Sequence, residues 1–154
     1  MCRILRWRPV GGVTVALGTR FQLAGQPLLS FEEFSAGNYT VGRGYDAGTL
    51  LGDSGIGFQA ELRGGSLIAT SASKPAAEGY LFFDYAKISN EDKLFVFDGP
   101  RDLSSAGIGV RANLDRFHLD AALAFPLQRA GFLEEKPGPR FLLSLTTRLW
   151  PWSY

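Results

Sequence analysis

Residues 39–63 read YTVGRGYDAGTLLGDSGIGFQAELR, a glycine-rich segment that runs directly into an alternating one. The first part, residues 39–55, holds five glycines, two aspartates and a single arginine, Arg43. In the second part every other residue is apolar, and the apolar set is Ile56, Phe58, Ala60 and Leu62. Alternation with period two predicts a β-strand that has one apolar and one polar face. The sequence therefore predicts a long loop followed by a two-faced strand.

The same alternation recurs along the whole chain. It is found in residues 13–23, 79–88, 107–114, 117–125 and 140–150. Most of these segments have about 9–12 residues, which is the length that a tilted strand needs to cross a bilayer. No segment has a clear helical period, and no apolar run reaches the roughly 18 residues of a membrane-spanning helix. We therefore predict an all-β, antiparallel up-and-down meander of about six strands that forms one domain over residues 1–154.

Composition excludes several classes of function. The chain of 154 residues has 16 Lys and Arg against 15 Asp and Glu, so its net charge of +1 offers no field that would attract nucleic acid. Cys2 is the single cysteine and His118 the single histidine, so neither a disulfide nor a Cys/His metal site is expected. We predict no nucleic-acid partner, no metal and no cofactor.

The usual catalytic motifs are also missing from the sequence. The stretch GRGYDAG lacks the Gly-Lys-Ser/Thr of a phosphate-binding loop, and no helix follows it to form a dinucleotide site. His118 and Asp120 share one strand face, where an exposed polar pair is far more common than a catalytic one. We therefore predict that the protein is not an enzyme.

Asp84 is the one residue that conflicts with its predicted surroundings. In the segment GYLFFDYAKI it shares a strand face with Tyr80, Phe82 and Ala86. An unpaired carboxylate among such neighbours is costly, so Asp84 is expected to have a partner.

Residues 31–63 resemble the loop and following strand of two-partner secretion transporters of the haemolysin secretion/activation type, within the BamA-like superfamily. The stretches that carry the resemblance are EEF, GN, GRGY, GDSG and ELR, which occur in the family's order. The family usually has Val-Arg-Gly-Tyr/Phe, whereas here Gly42 separates Val41 from Arg43. Further along the chain, YLFFDYAKI, LSSAGIGVRANLDRFHLDAALAFPL and RFLLSLTTRLW resemble later strands of the family.

The resemblance implies roles for particular residues. A lumen loop at about residues 34–54 would carry the motif residues Arg43, Gly44, Tyr45, Gly52 and Asp53. Its arginine would pair with Asp84, which lies beside Phe83 on the barrel wall, and this would satisfy the need of Asp84 for a partner. Glycines at positions 42, 44 and 48 are expected to supply tight turns with positive φ.

The resemblance also implies a function. The chain would be the C-terminal part of an outer-membrane β-barrel that exports a partner protein of haemolysin or adhesin type. It would work with outer-membrane lipid and with the remaining strands and periplasmic POTRA domains of a longer protein, because this sequence shows no POTRA pattern. About six strands are fewer than the roughly eight of the smallest such barrels. Phe125, Phe141, Trp150, Trp152 and Tyr154 would belong to the aromatic girdles at the ends of the strands.

Two alternatives remain open on the sequence. A BamA-like assembly factor shares the Arg-Gly-Tyr/Phe motif and would insert other barrels. A soluble β-sandwich binding module would also show alternating strands, because period two alone does not require lipid.

Overall fold

The computed structural model describes residues 2–7 (backbone only), 12–38, 40–67, 75–91, 101–114, 116–131 and 133–147. This part of the chain contains nine β-strands. They are β1 (Cys2–Trp7), β2 (Val13–Gln22), β3 (Phe34–Ala36), β4 (Leu50–Gly52), β5 (Ser54–Gly65), β6 (Ala76–Ser89), β7 (Asp102–Leu114), β8 (Phe117–Pro126) and β9 (Arg140–Thr147). Within the same residues no helix is long and apolar enough to span a membrane. The predicted all-β class is confirmed.

Seven of these strands form one antiparallel sheet in the order β1-β2-β5-β6-β7-β8-β9. Neighbours in the sheet are also neighbours along the chain, apart from the β3–β4 ribbon, which is inserted between β2 and β5. The predicted up-and-down meander is therefore correct. A sandwich requires two stacked sheets, whereas the described strands build one large sheet and a two-stranded ribbon.

The prediction of about six strands agrees with the main sheet, which has seven, whereas β1 and the β3–β4 ribbon were not predicted individually. Strand β1 has little alternation, and β3 and β4 have three residues each, so none of them gives a periodic signal. The predicted strands also begin too late in two places, because β6 opens with AAEG and β7 with DLSSA. Small and polar residues at a strand end are allowed where the inner face of a barrel is polar.

The two faces of the sheet differ in chemistry. The outward face is apolar and exposed, and its large residues include Ile56, Leu62, Leu81, Phe83, Ile108, Val110, Leu123, Phe125, Phe141 and Leu143. The inward face carries charged residues that are largely buried, such as Glu61, Glu78, Asp84 and Arg111. A sheet that exposes apolar side chains and buries charges has the polarity of a membrane barrel wall.

Of the five predicted girdle aromatics, Phe125 and Phe141 lie on this outward face, near the same end of the sheet. Trp150, Trp152 and Tyr154 lie outside the described residues.

The connection between β2 and β5, residues 23–53, folds back over the inward face. It contains the β3–β4 ribbon and all of the predicted lumen loop at residues 34–54 except Ser54, which is the first residue of β5. Its apolar residues pack with wall residues in one buried cluster: Phe34, Ala36, Val41, Tyr45, Leu50, Ala86, Ile88, Leu103 and Ala130. Gly55 and Gly57 of β5 make room for the loop, because a Cβ there would lie 2.5 Å from the Phe34 ring and 2.8 Å from Val41.

Two glycines of β7 make room for aromatic rings of β6 in the same way. Tyr80 stands opposite Gly109, and Phe82 stands opposite Gly107. A Cβ at Gly109 would be 2.2 Å from Tyr80 Cζ, and one at Gly107 would be 2.5 Å from Phe82 Cζ. Each ring therefore occupies the space of a missing side chain on the neighbouring strand.

We expect Gly109→Ala to destabilise the protein by about 1–3 kcal/mol, the usual effect of overpacking. Tyr80 has little freedom to yield, because its hydroxyl donates to Asp120. Gly79→Ala is the matched control: Gly79 pairs with the residue next to Gly109, and a Cβ there meets nothing within 4 Å. Thermal unfolding in detergent micelles, followed by circular dichroism, measures both variants. Equal melting temperatures would show that the rings are not held by the glycines.

Candidate functional site

Arg43 and Asp84 meet on the inward face of the sheet. Arg43 lies in the loop, and its Nε and Nη2 atoms donate to Asp84 Oδ2 and Oδ1 at 3.0 and 2.8 Å. The backbone N–H of Arg43 also donates to Asp84 Oδ2, at 3.0 Å. Asp84 is fully buried and Arg43 is 6% exposed. The contact is a bidentate, charge-assisted pair with an additional bond from the backbone.

Glu61 of β5 is a second partner of Arg43. Its Oε1 accepts a hydrogen bond from Arg43 Nη1 at 2.7 Å. Its carboxylate also forms ion pairs with the guanidinium groups of Arg63 and Arg111. Arg111 Nε also donates to Asp120 Oδ2 at 2.8 Å, and Asp120 Oδ1 accepts a hydrogen bond from the Tyr80 hydroxyl at 2.7 Å. One ionic network therefore connects the loop with β5, β6, β7 and β8.

Aromatic rings support the two central guanidinium groups. Arg43 Cζ lies 3.7 Å from the centroid of the Phe82 ring, and Arg111 Cζ lies 4.0 Å from that of Tyr80. Such cation–π contacts hold a planar guanidinium in place.

The predicted role of Phe83 beside Asp84 is wrong. Neighbouring residues of a strand point to opposite faces, so Phe83 lies on the outward face, 40% exposed. Phe82, which is 4% exposed, is the phenylalanine that shares the inward face with Asp84 and contacts Arg43.

Tyr45 fixes the loop to a different part of the wall. It is fully buried, and its hydroxyl donates toward the carbonyls of Ser104 and Gln128 at 2.9 and 2.7 Å. Burial raises the pKa of this phenol, so it stays protonated and able to donate. Tyr45 therefore joins the loop to the start of β7 and to the segment after β8.

The glycines beside Arg43 serve two different needs. Gly42 and Gly48 have φ values of 98° and 72°, as predicted, so a residue with a side chain would be strained there. Positive φ at Gly44 was predicted wrongly, since Gly44 is not among the residues with positive φ. Gly44 is needed for space, because a Cβ would lie 2.9 Å from both Pro126 N and Ser105 Cβ.

Gly52 and Asp53 lie at the other end of the loop, where β4 leads into β5. Their contacts include the backbone of residue 28, the side chain of Gln22 and residues 88–91, and Gly52 also pairs with Phe34 in the β3–β4 ribbon. None of these contacts joins the Arg43 network. The structure thus divides the predicted motif into a tip (residues 42–45) and a base (residues 52–54).

The electrostatics of the tip favour permanent charge. Burial alone would lower the pKa of Arg43, but hydrogen bonds and charge attraction from Asp84 and Glu61 outweigh burial and raise it. The guanidinium is therefore a permanent cation that holds the loop.

A cavity of about 180 Å³ lies beside Arg43, and the residues that line it include Gln59, Glu61, Tyr80, Arg111 and Asp120. Within the described part of the chain no cluster of His, Cys, Asp and Glu could hold a metal ion.

Sequence reasoning found Arg43 and Asp84 but missed Glu61, Arg111 and Asp120 as their partners. All three lie on polar strand faces that the alternation had identified. Their contact depends on strand register, which places Glu61 opposite Phe82 and Arg111 opposite Asp120. Alternation indicates on which face of the sheet a residue lies, but not which residue of the neighbouring strand lies opposite it.

An antiparallel meander with an apolar outer face, a charged inner face and an inserted loop is the wall of a transmembrane β-barrel. The structure is similar to CdiB from Acinetobacter baumannii, with a TM-score of 0.72 and 22% sequence identity over 95% of this chain. The aligned region is 26% of CdiB, so the chain spans about a quarter of that protein. No curated protein matches the sequence.

Residues 13–112, which make up more than half of the chain, match the family described as haemolysin secretion/activation protein ShlB/FhaC/HecB. The chain belongs to this family. The resemblance drawn from its motifs is confirmed, and the family is one of secretion proteins rather than of enzymes.

We expect Arg43→Ala to release the loop tip. Removing one member of a buried ion pair typically costs about 3–5 kcal/mol, because the other member is left without a partner. Arg63→Ala is the matched control: it also removes an arginine from Glu61, but Arg63 belongs to β5 and does not touch Asp84. Limited proteolysis with proteinase K, mapped by mass spectrometry, should show faster cleavage within residues 23–53 in Arg43→Ala alone. Equal cleavage in the two variants would contradict this.

Proposed function

We propose that this chain is the C-terminal part of the barrel of a two-partner secretion transporter in the bacterial outer membrane. The observation that carries the proposal is the loop of residues 23–53, which lies against a charged inner wall in a chain of this family. A loop in that position can close a pore or yield to a passing chain. Neither requires the protein to carry out chemistry.

The distribution of polarity supports a barrel that conducts an unfolded polypeptide. The inner face presents fixed charges of both signs, which can solvate a polar chain in transit without holding it at one place. The outer face presents aliphatic and aromatic side chains, which fit the acyl chains of lipid. The remaining strands and the periplasmic POTRA domains would come from the rest of a longer protein, consistent with the coverage of CdiB by this chain.

The family description supports a secreted partner protein, and we propose one of haemolysin or adhesin type. In this proposal Arg43 is the anchor of the resting loop, and Asp84 and Glu61 are its sites on the wall. Tyr45 and Gly44 place the loop tip against the start of β7 and against Pro126.

The proposed location predicts how the protein fractionates. We expect it to sediment with outer membranes and to resist extraction by carbonate, because its apolar outer face cannot be exposed to water. A cytosolic protein of similar size is the control for soluble protein that is trapped inside membrane vesicles during sedimentation. Recovery in the soluble fraction without detergent would instead support a soluble binding module.

The proposed anchor predicts how charge changes affect export. In the complete transporter, Arg43→Glu places a carboxylate against Asp84 and Glu61, and Asp84→Arg places two guanidinium groups together. Each should reduce the amount of partner protein in the medium several-fold, because the displaced tip remains in the lumen. The double variant should restore export in part and not fully, because a guanidinium cannot accept the backbone bond that the Asp84 carboxylate receives from residue 43.

Asp46→Arg is the matched control for these charge changes. Asp46 lies in the same loop and pairs with Arg140 at 2.9 Å, but its side chain is 87% exposed. Exposed ion pairs contribute about 0–1 kcal/mol, so export should stay near the wild-type level. Heat-modifiable migration in gels confirms that each variant is folded. If both single variants export normally, Arg43 is not the anchor.

A further inference from the structure

The base of the loop is held by a contact that does not involve Arg43. Asp53 is 4% exposed, and its two carboxylate oxygens accept from two backbone N–H groups that are far apart in sequence. Oδ1 accepts from Leu28 N at 2.6 Å, in the limb by which the loop leaves β2. Oδ2 accepts from Glu91 N at 2.8 Å, just after the end of β6.

Neighbouring contacts strengthen the same junction. Ser54 Oγ accepts from Ala24 N at 2.9 Å, and Gln22 Nε2 donates to the Asp53 carbonyl at 3.3 Å. Gly52 packs closely on the segment after β6, since a Cβ would lie 2.7 Å from Asn90 Oδ1. The two limbs of the loop and the end of β6 thus meet at Asp53.

The tip and the base are attached to different parts of the molecule. Arg43 bonds to side chains on the inner faces of β5 and β6, whereas Asp53 bonds to backbone groups of the entry limb of the loop and of the segment just after β6. No described residue belongs to both sets of bonds. Loss of one attachment therefore leaves the bonds of the other intact.

We propose that Asp53 is a positioning residue that clamps the base of the loop to the start of the β6–β7 connection. With this clamp the tip can leave Asp84 and swing away while both limbs stay fixed at the end of the barrel wall. A carboxylate suits this position because each of its oxygens accepts, whereas an asparagine amide offers one acceptor and one donor. The proposal rests on the proposed function, in which the loop moves during export.

Distances between spin labels test the clamp directly. In a background where Cys2 is replaced by serine, one label pair reports the base, with Phe31→Cys on the exposed entry limb and Lys87→Cys on the outward face of β6. A second pair reports the tip, with Ala47→Cys in the loop and Phe141→Cys on β9. Electron–electron resonance on purified protein in detergent micelles gives the distance distribution of each pair.

Asp53→Asn should broaden the base distribution and add longer distances while leaving the tip distribution narrow. Arg43→Ala should do the reverse. Asp46→Asn, the same chemical change at an exposed aspartate of the same loop, should alter neither. A narrow base distribution in Asp53→Asn overturns the clamp, and so does an equal broadening in Arg43→Ala.

If Asp53→Asn does not fold, Asp53→Ser replaces it, because serine removes the carboxylate without placing an amide N–H₂ group against the two backbone donors. The same two outcomes then decide. The distances are measured without export. A barrel that shows the expected distances but secretes no partner would overturn the proposed function and not the clamp.

Discussion

Asp84 places a carboxylate where no water reaches it, on the inner face of a strand whose neighbours are mostly apolar. A buried charge is tolerated only when it is paired and hydrogen-bonded, and Arg43 supplies three bonds, one from its backbone and two from its side chain. The backbone bond requires the main chain of the loop to lie directly on the wall. That closeness accounts for Gly42 and Gly44, where φ or space excludes a side chain. This pair fixes the position of the loop tip on the inner face.

The ionic network also explains why the wall does not depend on a single ion pair. Glu61 bonds to Arg63 and Arg111 as well as to Arg43, so its charge remains compensated when the loop tip is absent. Asp84 has no second cation within the described network, although Ser105 Oγ lies 3.5 Å from it. If the tip left the wall as proposed, Asp84 would be the one uncompensated charge of this network on the wall, and the Arg43 guanidinium would need new partners in the lumen.

Much of the fold could be predicted because period-two alternation is strong in strands with one apolar and one polar face. The long strands, their order and the face of each residue followed from it, and the need of Asp84 for a partner followed from its face. The short β3–β4 ribbon could not be predicted, because three-residue strands give no periodic signal and its pairing depends on how the loop packs against the barrel wall. Partners that meet through register, such as Glu61 and Arg111, were missed for a similar reason. Phe83 was named with Asp84 from the family resemblance, whereas alternation places these two neighbouring residues on opposite faces of the strand.

Period two leaves a sheet with an ambiguity, since a slip of two residues keeps every side chain on its own face. The aromatic–glycine pairs of β6 and β7 remove it. If β6 slipped by two in one direction, Tyr80 would stand opposite Arg111, and in the other direction Phe82 would stand opposite Ser105. Either way one ring meets a side chain in the place that a glycine had left open. The two aromatic–glycine pairs thus fix the register of β6 against β7 during assembly. They are Tyr80 with Gly109 and Phe82 with Gly107.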